Sequence, residues 1–207
     1  MKYKFIAIEG NIGAGKTTLA SKLASSYNAN LILEEFEQNP FLPKFYKEPE
    51  KFALALELSF LAERFHQLNE ELKKGAALRV SDYYFNKSFV FAKANLKTDE
   101  MNVFKKMFDI LEQQLPKPDL LIFLNPLTGK LKENIESRGR EYEQNIEMDY
   151  LHRIQISYVH YLEKQNELPV LMLEMQSTKY INSLDDFSFL DRLLQGNYKK
   201  GINKVTV

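Results

Sequence analysis

The chain has 207 residues, which is long enough for one compact domain with a large core. It carries 28 Lys and Arg against 28 Asp and Glu, so its overall charge offers no general attraction to nucleic acid or to an anionic membrane. The absence of cysteine excludes disulfides, thiol catalysis and cysteine-bound zinc, and no apolar run approaches the roughly 20 residues that span a bilayer.

Short apolar runs alternate with longer helical patterns along the chain. The first run begins at Tyr3, which leaves no room for a signal peptide, so we expect a cytoplasmic protein. Nearly continuous apolar runs are typical of parallel strands that helices cover on both faces. Five strands are predicted, at Tyr3–Glu9, Asn30–Glu34, Ala77–Ser81, Asp119–Leu124 and Pro169–Glu174. Seven helices are predicted, at Gly15–Tyr27, Pro49–Lys74, Tyr84–Leu96, Asp99–Leu115, Pro126–Ser137, Gln144–Asn166 and Leu184–Gln195.

This alternation predicts an α/β fold, in which a five-stranded parallel sheet is flanked by helices. No linker, repeat or low-complexity segment divides the chain, so we expect a single domain over residues 1–207. We expect Ser183 and Asp186 to form a capping pair before the last helix. The final run, "GINKVTV", is interpreted either as an added edge strand or as part of an interface.

A phosphate-binding loop follows the first strand. Gly10-Asn11-Ile12-Gly13-Ala14-Gly15-Lys16-Thr17 matches G-x-x-x-x-G-K-[ST] at every fixed position, between a predicted strand and a predicted helix. The glycines let backbone N–H groups point inward and the helix adds its N-terminal dipole, so the loop favours an anion. We expect Lys16 to reach the β- and γ-phosphates of ATP and the Thr17 hydroxyl to bind Mg²⁺, with Thr18 completing the ATP-binding stretch.

The loop occurs in motors, switches and kinases, and the remaining sequence favours a small kinase. A GTPase switch needs an N-K-x-D motif, but Phe89 occupies the position of its Asp, and no D-x-x-G follows the loop. Large ATPases place an acidic pair at the end of a long apolar strand, where this chain offers only Asp82.

Two acidic residues lie at the carboxyl ends of predicted strands, which is the edge of such a sheet where ligands bind. Glu34 ends the second strand and is interpreted either as the base that takes a proton from an acceptor hydroxyl or as a solvated acidic strand end. Asp82 follows the third strand and is interpreted either as a Mg²⁺ partner or as a helix cap.

Four further charged residues are candidates for a site. Arg138 and Arg140 flank Gly139 between two predicted helices, an arrangement that suits either a lid closing on a transferring phosphoryl group or a charged helix end. Glu57 and Arg64 lie seven residues apart on the apolar face of the third helical segment. They are too far apart along the axis to pair with one another, so they need other partners, either a polar substrate or neighbouring side chains.

Taken together, these segments resemble the deoxynucleoside kinases. The stretches "IAIEGNIGAGKTT", "FYKEPEKF", "FAKANL" and "RGREYEQ" occur in that family's order and at about its spacing, over nearly the whole chain. The stretches "EEFEQNPFLPKFY" and "SDYYFNKSFVFAKANL" are most similar to the bacterial deoxyguanosine/deoxyadenosine kinase branch. The resemblance implies a P-loop kinase fold with a lid at about residues 138–146, and a homodimer. It also implies transfer of the γ-phosphate of Mg²⁺-bound ATP to the 5′-hydroxyl of a 2′-deoxynucleoside in nucleotide salvage, with a purine favoured.

The resemblance also implies roles for individual residues. Glu34 corresponds to the general base, although Glu35 replaces the proline of many members and leaves the register between the two glutamates open. Tyr46 and Glu143 correspond to the pair that holds the sugar 3′-hydroxyl, and Arg64 lines the nucleoside pocket. Arg138 and Arg140 correspond to the lid arginines, and Asp82 keeps an acidic role.

Besides Glu35, the chain departs from the family pattern in three places. Where many members have Glu-Arg-Ser it reads Asp82-Tyr83-Tyr84, and we expect Arg64, Arg79 or a lid arginine to compensate for the missing arginine. Ser88 replaces an Asp or Arg that often reads the base, in agreement with the purine branch. Glu57 replaces a base-reading glutamine, and an ionised carboxylate only accepts hydrogen bonds, which favours guanine with its two adjacent donors. Adenine, with one donor beside an acceptor, suits this position less unless Glu57 is protonated or turned toward Arg64.

Two alternatives stay open from the sequence. A nucleoside monophosphate kinase of the thymidylate kinase type shares the phosphate loop, but it needs further cations to hold the phosphate of its acceptor. A non-catalytic nucleotide-binding regulator would keep the loop without transferring phosphate.

Overall fold

A computed structural model of the chain describes residues 2–36, 38–175 and 187–206. Its centre is one sheet in which every pair of neighbouring strands is parallel, in the order β2-β3-β1-β4-β5-β6. The six strands are β1 Phe5–Gly10, β2 Asn30–Ile32, β3 Arg79–Ser81, β4 Leu120–Pro126, β5 Pro169–Met175 and β6 Gly201–Thr206.

The prediction of a parallel α/β sheet is confirmed, and the sheet has one strand more than the five that the sequence predicts. The added strand is β6, which pairs along its whole length with β5, from Gly201 opposite Pro169 to Thr206 opposite Glu174. An ion pair of 3.0 Å between Lys204 and Glu174 joins the same two strands. Of the two interpretations of the C-terminal run, the edge strand is therefore correct.

Helices cover both faces of the sheet. Relative to the sequence predictions, α2 is additional, and the predicted helix at Gln144–Asn166 begins only at Met148, after a short 3₁₀ turn at Glu141–Glu143. The proposed cap at Ser183 and Asp186 lies outside the described residues. Within the described residues, the helices are α1 Lys16–Tyr27, α2 Leu42–Lys47, α3 Pro49–Lys73, α4 Lys87–Asn95, α5 Thr98–Glu112, α6 Thr128–Arg138, α7 Met148–Glu163 and α8 Phe187–Gln195.

Alternate residues of β1 bury themselves on opposite faces of the sheet, as the two-residue period of a strand requires. Ile6 and Ile8 pack with Leu19 and other residues of α1, whereas Ala7 packs with Tyr158 on α7. The described part of the chain contains no helix that is both long and apolar enough to cross a membrane.

The strand order determines where the site forms. In the strand order, β1 lies between β3 on one side and β4 on the other. The loop that follows β1 therefore lies where the strand order reverses direction across the sheet. Such a switch point opens a crevice beyond the carboxyl ends of the strands. The ends of β2 and β3 flank it, which brings Glu34 and Asp82 beside the phosphate loop.

Candidate active site

The phosphate loop has backbone angles that favour glycine, as Gly13 and Gly15 show. Gly13 has φ of +80° and Gly15 has φ of +93°, both in the left-handed region. A Cβ on Gly13 would also lie 2.6 Å from the carbonyl oxygen of Leu131 on α6. The side-chain amide of Asn134 donates to the carbonyl of Gly13 at 2.8 Å, so α6 packs tightly against the loop and fixes it.

The buried carboxylate of Glu9 ties the start of the loop to the neighbouring strand. It accepts hydrogen bonds from the backbone N–H groups of Gly10 and Tyr84, both at 2.9 Å, and from the Tyr158 hydroxyl at 3.0 Å. Burial raises the pKa of Glu9. Through these three hydrogen bonds, Glu9 connects β1 to the segment that follows β3 and to α7. The loop therefore starts from a fixed arrangement of these elements.

The ammonium group of Lys16 lies over the loop. It donates to the carbonyl oxygens of Gly10 and Asn11, at 2.9 and 3.0 Å. Burial, followed by the charge of Lys87, lowers the pKa of Lys16 to about 8. A phosphate bound at this point would favour the charged form of the lysine, because an opposite charge within a few ångströms raises the pKa of an amine.

Thr17 and Asp82 meet at the edge of the loop. The Thr17 hydroxyl donates to Oδ2 of Asp82 at 2.6 Å, and the backbone N–H of Glu34 donates to Oδ1 of the same carboxylate at 2.7 Å. A hydroxyl and a carboxylate are hard oxygen donors of the kind that Mg²⁺ takes alongside nucleotide phosphates. The pair therefore fits a magnesium ion shared with ATP.

Two cations hold Glu34 by separate oxygens. Nε of Arg64 donates to Oε1 at 2.8 Å, and Nζ of Lys87 donates to Oε2 at 2.5 Å. Burial acts to raise the pKa of Glu34, but the charges of Lys87 and Arg64 outweigh it and hold the pKa at about 2. Glu35 instead is exposed and accepts from Gln67 at 3.2 Å, so Glu34 is the glutamate that faces the cleft.

Arg64 is fixed on three sides. Besides Glu34, its guanidinium donates to the Ser88 hydroxyl at 2.8 Å and lies 4.7 Å from the centre of the Phe60 ring. Arg79, by contrast, donates to the backbone carbonyls of Leu72 and Lys74 near the end of α3, at the opposite end of β3 from Asp82. Of the arginines expected to compensate for the missing one, Arg64 therefore contacts the predicted base and Arg79 does not.

Glu57 lies deep in the wall of the same cleft. It is 1% exposed, its Oε1 accepts from the side-chain amide of Asn95 at 2.7 Å, and its Oε2 has no hydrogen-bond partner. Burial raises the pKa of Glu57 to about 7. Glu57 and Arg64 thus have separate partners, as the sequence predicts.

The turn after α6 brings the two predicted lid arginines onto one carboxylate. Arg138 forms an ion pair with Oε2 of Glu143, and Arg140 lies 3.6 Å from its Oε1. Arg140 also lies 4.4 Å from the centre of the Phe36 ring, which follows β2. Burial strongly raises the pKa of Tyr46, whose ring stacks on Tyr142 of the same turn, and Glu143 raises it further.

These side chains line a single cleft of about 760 Å³, measured out to its open mouth. Every predicted catalytic, substrate-binding and metal-binding residue lies in its wall. They are Lys16, Thr17, Glu34, Tyr46, Glu57, Arg64, Asp82, Arg138, Arg140 and Glu143, joined by Ile12 and Gly13 of the loop. The other predicted ATP-binding residues form the frame of the loop and the first turn of α1; they are Gly10, Asn11, Ala14, Gly15 and Thr18.

Sequence reasoning missed several residues of the cleft. Lys87 is the most important, since it contacts the predicted base, but the sequence only revealed it as part of a failed N-K-x-D motif. Asn95 and Tyr150 lie at the inner end with Glu57, and Phe36 and Phe91 add aromatic walls. Phe91 and Asn95 both lie in the stretch "FAKANL", which resembles the deoxynucleoside kinases, and this resemblance could have indicated that they belong to the site.

Comparison with known proteins agrees with this geometry. The family model described as deoxynucleoside kinase matches residues 6–192. The chain belongs to the deoxynucleoside kinase family. It is 36% identical to a deoxyguanosine kinase of Bacillus subtilis, with 88% of this chain and 92% of that protein covered. It is 34% identical to a deoxyadenosine kinase of Dictyostelium discoideum, with 81% and 71% covered.

A solved structure carries the same fold. The deoxyadenosine kinase from M. mycoides with bound dCTP superimposes with a TM-score of 0.77 over 93% of this chain and all of that one, at 21% identity. The P-loop kinase fold is therefore confirmed. The protein is an ATP-dependent enzyme that phosphorylates deoxynucleosides in salvage, and neither the monophosphate kinase nor the non-catalytic regulator is favoured.

Proposed function

We propose that this deoxynucleoside kinase acts on purine 2′-deoxynucleosides and prefers deoxyguanosine. The observation that carries the proposal is Glu57, a buried carboxylate in the cleft wall with one oxygen unpartnered. An ionised carboxylate only accepts, and guanine presents two adjacent donors, its N1–H and its 2-amino group. The identity to the deoxyguanosine kinase of Bacillus subtilis supports the same preference.

The sugar end of the cleft suits a neutral acceptor. Tyr46 offers a phenolic hydroxyl, and Glu143 offers a carboxylate that the lid arginines already neutralise. These groups are suited to donating to and accepting from a sugar 3′-hydroxyl.

We assign Glu34 as the residue that receives the proton of the 5′-hydroxyl. As that oxygen bonds to the γ-phosphorus, the bond to the β-phosphate oxygen breaks, ADP leaves with the electron pair, and the proton passes to Glu34. With its pKa at about 2, Glu34 is ionised at neutral pH but weakly basic. A weak base suffices, because a loose phosphoryl-transfer transition state needs little proton transfer before the new bond forms.

Positive charge lies on both sides of the transferring group. Lys16 approaches it from the phosphate loop, and Arg138 and Arg140 approach from the lid at about residues 138–146. Such preorganised charges stabilise the transition state where its negative charge is spread over the phosphoryl oxygens. Thr17 and Asp82 would hold Mg²⁺, which when bound neutralises charge on the β- and γ-phosphates.

We also propose that residues 1–207 form one kinase domain that works as a cytoplasmic homodimer. The support for a homodimer is an apolar stripe on α5, where Val103, Met107 and Ile110 are 52%, 45% and 63% exposed. Their spacing puts all three on one side of the helix. The lack of cysteine suits a reducing compartment.

The proposed function is tested by steady-state kinetics with the four deoxynucleosides and ATP. We expect kcat/KM to be highest for deoxyguanosine and ATP turnover to require a nucleoside. Glu34→Gln should lower kcat by about 10²–10⁴-fold, whereas Glu35→Gln should leave it within a few-fold of wild type. Preference for a pyrimidine would overturn the substrate assignment, and a loss confined to Glu35→Gln would overturn the assignment of the base.

A further inference from the structure

The carboxyl group of Glu57 is half satisfied. Asn95 donates to Oε1, while Oε2 is buried, lacks a hydrogen-bond partner and belongs to a residue in the cleft wall. The side-chain amide of Asn95, on α4, also lies 3.3 Å from the hydroxyl of Tyr150 on α7. These two helices therefore hold the amide in place, and the amide in turn orients the carboxyl group of Glu57. A buried polar atom without a partner is costly, and a nucleoside base in the cleft would supply that partner.

The surroundings of Glu57 allow both the protonated and the ionised form of its carboxyl group to be populated near neutral pH. Burial raises its pKa to about 7, against the opposing effects of Asn95, Arg64 on the same helix and Lys87 on α4. Both cations are hydrogen-bonded to Glu34, whose own negative charge raises the pKa of Glu57 slightly. The hydroxyl of Tyr150 on α7 also faces this part of the cleft. Burial raises the pKa of Tyr150 above its ordinary value, so this hydroxyl is neutral.

The two forms of the carboxyl group match different purines. The ionised form accepts twice, from the N1–H and the 2-amino group of guanine. The protonated form donates its O–H to N1 of adenine and accepts from the 6-amino group with its other oxygen. We propose that a proton on Glu57 decides which purine the site takes, guanine when it is absent and adenine when it is bound. This inference rests on the proposed purine specificity.

When a purine meets the mismatched protonation state of Glu57, two buried donors or two buried acceptors face each other. An ionised Glu57 would face the lone pair of adenine N1, and a protonated one would point its hydrogen at the N1–H of guanine. Sites built around hydrogen bonds reject substrates that leave those bonds unmade by up to about 10⁴–10⁵-fold. Each purine is therefore expected to select one protonation state of Glu57.

The ratio of kcat/KM for deoxyguanosine to that for deoxyadenosine isolates this effect. It follows the ratio of ionised to protonated Glu57, so it should rise by up to about tenfold per pH unit. Other titrating groups of the catalytic machinery act on both substrates and cancel in the ratio. The slope is also independent of where the pKa of Glu57 lies.

The experiment measures this ratio between about pH 6 and pH 8 for wild type, Glu57→Gln and Glu70→Gln. Glutamine offers a fixed donor and a fixed acceptor, so Glu57→Gln should favour deoxyadenosine with a ratio that does not change with pH. Glu70 lies on the same helix but is exposed and paired with Lys73, so Glu70→Gln should keep the wild-type slope. A flat ratio in wild type, or a wild-type slope in Glu57→Gln, would overturn the inference.

A second measurement needs no variant. Calorimetric titration of the wild-type enzyme, in buffers with different protonation enthalpies, gives the number of protons exchanged when each nucleoside binds. We expect deoxyadenosine to take up about one proton more than deoxyguanosine. Equal proton exchange would contradict the inference alone, whereas failure of both purines as substrates would also overturn the proposed function.

Discussion

Nζ of Lys87 lies 2.5 Å from Oε2 of Glu34, although 53 positions separate the two residues in the sequence. Lys87 begins α4 and Glu34 follows β2, and the strand order brings them together because β2 and β3 are neighbours at one edge of the sheet. Lys87 is 8% exposed and lies 5.4 Å from the centre of the Phe91 ring, which backs the ammonium group.

We predict that Lys87→Met lowers kcat by about 10²-fold or more, with a smaller change in KM for the nucleoside. The substitution leaves Arg64 as the remaining cation on Glu34 and removes a positive charge from beside the transferring group. Lys87→Arg should recover part of the activity because it keeps the charge. Lys93→Met, on the exposed side of α4, is the matched control. Wild-type kcat in Lys87→Met would show that Arg64 alone is sufficient.

The second prediction concerns stability and pH. The pKa of Glu57 rises from 4.5 to about 7 on folding, so its contribution to stability is fully present below pH 4.5 and is lost as the pH rises through 7. Glu57→Gln removes this loss. Its free energy of unfolding relative to wild type should therefore increase by about 1–3 kcal/mol between about pH 5 and pH 8.

Urea denaturation of the ligand-free protein at the two pH values measures this difference. Glu70→Gln provides the control, since its carboxylate is exposed and should give no comparable dependence. A constant difference between Glu57→Gln and wild type would mean that Glu57 is ionised to the same extent in the folded and unfolded states.

The sequence predicts the parts of the site that are contiguous or that end strands. The phosphate loop is one uninterrupted motif, and Glu34 and Asp82 follow from the rule that ligands bind at the carboxyl ends of parallel strands. Glu57 and Arg64 are recognisable because charged residues on an apolar helix face need partners. The partners themselves are not recognisable, because their position depends on how the helices cross.

Lys87 and Asn95 illustrate this limit. Both lie on α4, and each forms its contact with a residue that is distant in sequence, Glu34 in one case and Glu57 in the other. Helical periodicity indicates that α4 is a helix, but its rotation against α3 is set by packing between side chains. The helix α2 is missed for a different reason: with six residues it is too short to show a repeating pattern.

The third prediction tests the sugar end of the cleft. If the Tyr46 hydroxyl bonds the 3′-hydroxyl, Tyr46→Phe should lower kcat/KM for the preferred 2′-deoxynucleoside by about tenfold. The same substitution should leave kcat/KM nearly unchanged for the 2′,3′-dideoxy analogue, which lacks the partner. Parallel kinetics on the two nucleosides give the comparison. Equal losses on both would mean that Tyr46 acts through packing against Phe45 and Tyr142.

The fourth prediction tests the apolar stripe of α5. Ile110 is 63% exposed, and a glutamate there would bury a charge in any interface that covers the stripe of Val103, Met107 and Ile110. Ile110→Glu should therefore shift the protein from dimer to monomer in sedimentation-velocity runs at micromolar concentration. Asn102→Glu adds the same charge on α5 about a quarter turn from the stripe and should leave the dimer intact. A dimer that survives Ile110→Glu would assign the interface to another surface.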